Sequence, residues 1–265
     1  MILKKSDVKH SEDLQQYLQE KSKESNRLYH YTTFDSLICI IKNRCVRLSR
    51  MDLMNDKAEQ TLGRQDEHLK NYIMSFTRDK EYVSMWAMYG KPSGIKIRID
   101  FSRSIFEDAI KNQFYEDSAL IRRIPLESDA SPGSFYKKGF LISDVVYLDK
   151  ALKELRHNER KFPSITADKI VIDEMTGFIK YDAWEFERET RLRALIHHEP
   201  AKSLMDIPKW IFAKISEDLI RDLHITFNPW MSAEMKEEIR KSLNSLAGCH
   251  LSYDNSQNDG EISEL

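Results

Sequence analysis

Where the sequence is most apolar it alternates with a period of two, and that commits much of the chain to sheet. In GIKIRIDF, Ile95, Ile97 and Ile99 fall on one side of an extended chain. In YDAWEFERETRLRALI, residues 181–196, the apolar side carries Trp184, Phe186, Leu192, Ala194 and Ile196. The other side carries Glu185, Glu187 and Glu189, followed by Arg191 and Arg193. Glu and Arg favour helices, but wound as a helix the apolar residues of this segment scatter around the cylinder. The alternation predicts one strand with three carboxylates on a single face.

Around these strands the pattern is mixed. Ser11 caps a helix over 11–25, with Leu14, Tyr17 and Leu18 on one face. LYHYT reads as a short strand, and TFDSLICIIKN as a helix capped by Thr33 that presents Phe34, Leu37, Ile38 and Ile41. CVRLS returns as a strand. MDLMNDKAEQTLGRQDEHL reads as a loop entering a helix, with Asp56 and Glu59 at capping-box spacing. NYIMSFT is a further strand, YVSMWAMYG a short aromatic segment, ESDASPGS a surface loop and GFLISDVVYL a strand or pair of strands. Helices over 149–160 and 165–180 follow. The strands KWIFAKI and HITFNP, a helix over 231–246 and the strand CHLSYD complete the chain. The expected architecture is α+β, a single domain of mixed or antiparallel sheets flanked by helices. Residues 1–26 form an N-terminal helical extension, 27–254 the domain, and 255–265 an acidic tail expected to be disordered.

Composition narrows the partners. The formal net charge is −2, so a nucleic-acid partner would need a local basic patch. Neither G-x-G-x-x-G nor G-x-x-x-x-G-K-[ST] occurs, which removes the two common glycine-rich phosphate cradles. Cys39, Cys45 and Cys249 form no C-x-x-C pair, and an odd count fits a reducing compartment. The start has no signal-peptide core and no apolar run approaches about 18 residues, so the expectation is a cytoplasmic protein without a membrane partner.

The glutamate face has two readings. A run of charges on a strand usually faces water. Alternatively, closely spaced carboxylates sit in a cleft, raise one another's pKa and orient or activate a substrate hydroxyl, with Arg191 and Arg193 offsetting their charge. Spacing alone leaves both open. His197-His198 is no metal pair, because adjacent strand residues point to opposite faces. Asp52, Asn55, Asp56 and Glu59 fail the order of a calcium loop, so no metal is expected.

Several short motifs occur in a fixed order. They are His30-Tyr31-Thr32, Leu37, Ile40 or Ile41, Arg47-Leu48-Ser49, Met54-Asn55-Asp56 with Glu59, Met85-Trp86 with Tyr89 and Gly94, and Trp184 with Glu187, Glu189 and Arg191. Together, across roughly residues 27–247, they resemble a widespread bacterial domain family of uncharacterised function. More remotely the layout resembles the ADP-ribosyltransferase fold. There an early strand carries a His or Arg that holds NAD, and a later strand carries a catalytic Glu, often in an E-x-E pair.

That resemblance implies NAD as a substrate and an NAD-dependent ADP-ribosyltransferase or NAD glycohydrolase activity, in toxin or phage-defence settings. It implies that Glu189 stabilises the oxocarbenium-like ribose and that Glu187 serves as base for the acceptor. His30 would bind a ribose hydroxyl, and the backbone at Tyr31, beside Thr32, would grip the amide. Trp86 or Tyr89 would stack on nicotinamide, with Ser75 or Thr77 supporting the glutamates. The acceptor, whether protein, nucleic acid or water, has no sequence signature. Each residue has a plainer reading: His30 as a structural histidine, and Trp86, Met85, Met88 and Trp184 as core. A non-catalytic module that binds a nucleotide or partner on the same fold is the alternative function.

Overall fold

In the computed structural model, placement is described for residues 27–54, 56, 69–78, 81–89, 96–102, 114–115, 136–148, 177–197 and 207–259. The helix expected over 11–25, the start of the helix after Asp56, the loop ESDASPGS and the helix over 149–160 lie outside them. The chain opens with β1 (Arg27–Thr33), α1 (Phe34–Asn43), β2 (Cys45–Arg50) and a 3-10 turn at Met51–Leu53. Next come β3 (Leu69–Thr77), α2 (Val83–Met88), β4 (Lys96–Ser102) and β5 (Phe114–Tyr115). Then follow β6 (Tyr136–Asp144), β7 (Val146–Leu148), β8 (Ile179–Tyr181), a 3-10 turn at Asp182–Glu187 and β9 (Glu189–His197). The last elements are β10 (Trp210–Lys214), α3 (Glu217–Arg221), β11 (His224–Phe227), α4 (Ala233–Ala247) and β12 (Ser252–Asp254). The architecture is α+β. Most strand pairs are antiparallel, and β7–β8 and β11–β12 are parallel.

Contacts group the described residues into two compact units. Among the described residues the first holds 48–54, 56, 69–75, 136–148, 177–197 and 207–211, and the second holds 27–47, 76–78, 81–89, 96–102, 114–115 and 212–259.

The first unit is organised on β9. This strand pairs with β3 on one side and β6 on the other, running antiparallel to β6 from Thr190↔Asp144 to His197↔Tyr136. Its neighbours take up the backbone hydrogen bonds on both edges, and its side chains are buried on both faces. Thr190, Leu192, Ala194 and Ile196 are at most 1% exposed, while Glu189, Arg191 and Arg193 on the other side are at most 5% exposed. Alternation locates the strand, but the charged side does not face water. The solvated-surface reading of Glu187 and Glu189 is thereby overturned.

In the second unit β1 pairs antiparallel with β4, His30 opposite Ile99 and Tyr31 opposite Arg98. β4 pairs with β11, and β11 with β12. Helix α1 forms as its pattern predicts: Thr33 Oγ1 accepts from Ser36 N at 3.3 Å, and Leu37, Ile40 and Ile41 are buried. Burying three such side chains contributes about 1.5–3 kcal/mol each. Arg44, in the left-handed region at φ 51°, ends the helix. Helix α4 is capped by Ser232, packs on α1 and stops at Gly248, whose φ of 67° suits the residue without a Cβ.

Three expectations change. Where a helix is expected up to residue 180, residues 177–178 turn and β8 begins at Ile179. Where one strand is expected over 181–196, Asp182–Glu187 winds as a 3-10 turn and the strand begins only at Glu189. The break is Arg188, left-handed at φ 42°, which no continuous strand accommodates. Where a disordered tail is expected from Asn255, Ser256 is buried, and Lys236 Nζ meets Asp259 Oδ2 at 2.8 Å.

Candidate functional site

The turn at Arg188 explains how two glutamates meet. β8 carries Lys180, the 3-10 turn follows at Asp182–Glu187, and β9 starts at Glu189. Lys180 Nζ donates to Glu187 Oε2 and lies 3.3 Å from Glu189 Oε2. Arg191 Nε donates to Glu189 Oε1 at 2.7 Å and Nη2 to Oε2 at 2.8 Å, while Nη1 donates to Gly177 O at 2.8 Å. Two carboxylates thus face two cations, and all four side chains are buried. Burial of an unpaired charge is costly, so such a set exists only as paired ions.

The backbone of Glu189 is fixed as firmly as its carboxylate. Its N–H donates to Tyr147 Oη at 2.8 Å, and its carbonyl accepts from Val145 N at 2.8 Å. Beside it, Thr190 Oγ1 donates to Asp144 Oδ1 at 2.7 Å. Burial alone pushes the Glu189 carboxyl up. The charges of Arg191 and Lys180, with hydrogen bonds from Arg191 and Ser75, outweigh it and hold the pKa at about 2. Glu189 is therefore an anion at every physiological pH. Burial, reinforced by the charge of Glu189, raises the Tyr147 phenol far above its usual value, so it stays a neutral hydroxyl.

Trp184, expected in the core, is only partly buried and lies with its ring 4.8 Å from Lys180 Nζ, a cation–π contact at the rim of the charged set. Phe186, expected beside it, is 40% exposed. Arg193 stacks on Phe178 at 5.0 Å. Of the residues expected from sequence, Glu187, Glu189, Ser75 and Arg191 thus come together in the first unit. Lys180 and Tyr147 were not expected there. Lys180 lies in a segment whose pattern reads as helix, and Tyr147 is one more apolar residue in a strand.

The other expected residues lie in the second unit. His30 and Thr32 share one side of β1 and Tyr31 the other, by strand alternation. The His30 ring meets Phe76 edge-on at 5.8 Å, and Tyr31 meets Trp86 edge-on at 4.9 Å. Trp86 is fully buried and donates from Nε1 to Glu81 Oε1 at 2.7 Å. Ser256 Oγ donates to the same oxygen, and Gln257 N donates to Oε2 at 2.9 Å. Trp86 is thus a packing residue with no ring face open to a ligand. Tyr89, 44% exposed, is the most exposed aromatic of that segment. Thr77 is buried near the pairing of β1 with β3.

Residues 85–192 match a family model described as a protein of unknown function, DUF2971. The match takes in Met85-Trp86, Tyr89 and the segment from Trp184 to Arg191, and begins well after His30. No curated protein matches the sequence. Among solved structures, DarT of Thermus sp. 2.9 in complex with carba-NAD+ is similar to this chain. The likeness covers 89% of this chain and 97% of that one, at 12% identity and a TM-score of 0.34. Among the described residues no group of three or more His, Cys, Asp or Glu could hold a metal ion, and no helix is long and apolar enough to cross a membrane.

Proposed function

We propose that the chain cleaves the nicotinamide–ribose bond of NAD, passing ADP-ribose to an acceptor or to water, in the toxin or phage-defence setting that its motifs imply. The observation that carries this reading is the pairing of Glu187 and Glu189 around Lys180, with Glu189 held ionised. When the C1′–N bond breaks, nicotinamide leaves with the bonding pair and the ribose becomes oxocarbenium-like. A carboxylate held ionised well below its usual range is the electrostatic complement of that charge. Glu189 takes this part and orients the ribose 2′-hydroxyl. Glu187 accepts the proton of the nucleophile that adds at C1′. His30, on β1 of the second unit, is assigned to a ribose hydroxyl by the motif order alone.

A second reading is favoured by one observation. Both oxygens of Glu189 are already held by Arg191, and the side chain is 5% exposed. In that reading the ion set is structural and the chain is a binding module for a nucleotide or partner.

Nicotinamide release from NAD, by wild type and Glu189→Gln at matched folding, separates the two. Release by wild type with loss in the variant supports cleavage. Binding of NAD without release by either protein supports the module.

A further inference from the structure

The second unit carries a groove that none of the residues assigned to NAD cleavage lines. It lies between the middle of α4, from Glu237 to Asn244, and β12, with a volume of about 560 Å³, in the range of small-ligand sites. Its lining is rich in donors. Arg240, Lys241 and Asn244 come from α4, His250 and Ser252 from the chain around β12, and His224 from β11.

The cations there are only loosely neutralised. Arg240 and Lys241 share one carboxylate, Glu237, at 3.6 and 3.7 Å, beyond hydrogen-bond range. Glu237 is the one carboxylate among the residues that line the groove, so neither cation has a close carboxylate of its own. His224 Nε2 is tied to Asp254 Oδ2 at 2.5 Å, which fixes β11 to β12 at the floor. His250 is exposed, its ring edge-on to Tyr253 at 6.4 Å.

The donors are also positioned in advance. Phe227 and Tyr253 stack at 5.6 Å with rings 2° from parallel, and the Arg240 guanidinium lies over both, at 5.0 and 5.8 Å. Asn244 Oδ1 accepts from Tyr253 Oη at 2.8 Å and from Leu251 N at 2.9 Å. Those two bonds fix the amide so that its amino group is the end left to donate. Burial raises the Tyr253 phenol to about 12, so it enters this network as a neutral hydroxyl.

We propose that this groove binds a small phosphate ester, of the size of a nucleoside diphosphate. A guanidinium fork, an ammonium, an amide and a serine hydroxyl together offer more donors than one carboxylate accepts, and they match the oxygens of a phosphate. The volume exceeds what a bare ion would fill. The groove ends within one helix and one short strand, so it suits a compact ligand rather than a continuous backbone.

The test titrates ADP and inorganic pyrophosphate into the full chain at low salt by calorimetry. Binding is expected with both, weakening as salt is raised. Lys241→Glu, at a side chain 75% exposed, should lose about tenfold or more in affinity while the fold is unchanged by circular dichroism. Glu237→Gln should bind more tightly. Nicotinamide release should be the same in Lys241→Glu as in wild type. Absence of binding by wild type, affinity unaltered in Lys241→Glu, or binding of a single-stranded oligonucleotide but not of ADP would each overturn the proposal. If ADP binds at the Lys241-sensitive site and no nicotinamide is released, only the NAD-cleavage reading falls.

Discussion

The Arg191 guanidinium grips both oxygens of Glu189 from two residues along the same strand, at 2.7 and 2.8 Å. Residues i and i+2 of a strand share a face, so this pair is set by the local backbone. The same guanidinium reaches back to Gly177 O, which ties β9 to the chain entering β8.

Removing the cation should therefore cost more than the pair contributes. Arg191→Met leaves a buried carboxylate facing Lys180 alone, and is expected to destabilise by about 3–5 kcal/mol. Chemical denaturation of the two proteins at pH 7 measures it. A loss under about 1 kcal/mol would mean that Glu189 is far more hydrated than its burial indicates.

Glu189→Gln keeps the shape of the side chain and removes its charge. If the carboxylate stabilises the oxocarbenium-like ribose, nicotinamide release should fall by about 10²-fold or more, with KM for NAD much less affected. His30→Ala should instead act chiefly on KM. Steady-state kinetics on both variants distinguishes these parts.

Acid should weaken the charged set with a defined sign. The folded-state pKa of Glu189, about 2, lies below its ordinary value of 4.5. Its contribution to stability is full above 4.5 and is lost as pH falls from there towards 2. The difference in unfolding free energy between wild type and Glu189→Gln, followed across that window, should shift against wild type as pH drops. A difference that stays flat would contradict the depressed pKa.

Gly177 is held at φ +95°, and a Cβ there would lie 3.2 Å from Arg193 Cδ and 3.4 Å from Ile73 Cδ1. Gly177→Ala is expected to cost about 1–3 kcal/mol, from backbone strain and from crowding the stem of Arg193. Thermal unfolding reads it directly.

Much of this arrangement was legible in the sequence. Thr33 announces the start of α1 because a hydroxyl before an amphipathic run has one obvious use. Ile95, Ile97 and Ile99 place β4 by alternation, which is a local property. The glutamate segment shows where alternation misleads. Trp184, Phe186, Leu192, Ala194 and Ile196 alternate as a strand would, yet the left-handed Arg188 splits the segment into a 3-10 turn and a strand. Whether Glu187 and Glu189 meet water or cations depends on Lys180 from β8 and on β3 and β6 flanking β9. No window of adjacent residues contains that information.

The Glu81 carboxylate joins the indole of Trp86 to Ser256 and Gln257, near the far end of the chain. Loss of Ser256 and Gln257 is therefore transmitted to the aromatic segment that opens the region matched by the family model. A chain shortened before Ser256 leaves Trp86 as the one donor to Glu81 among these three.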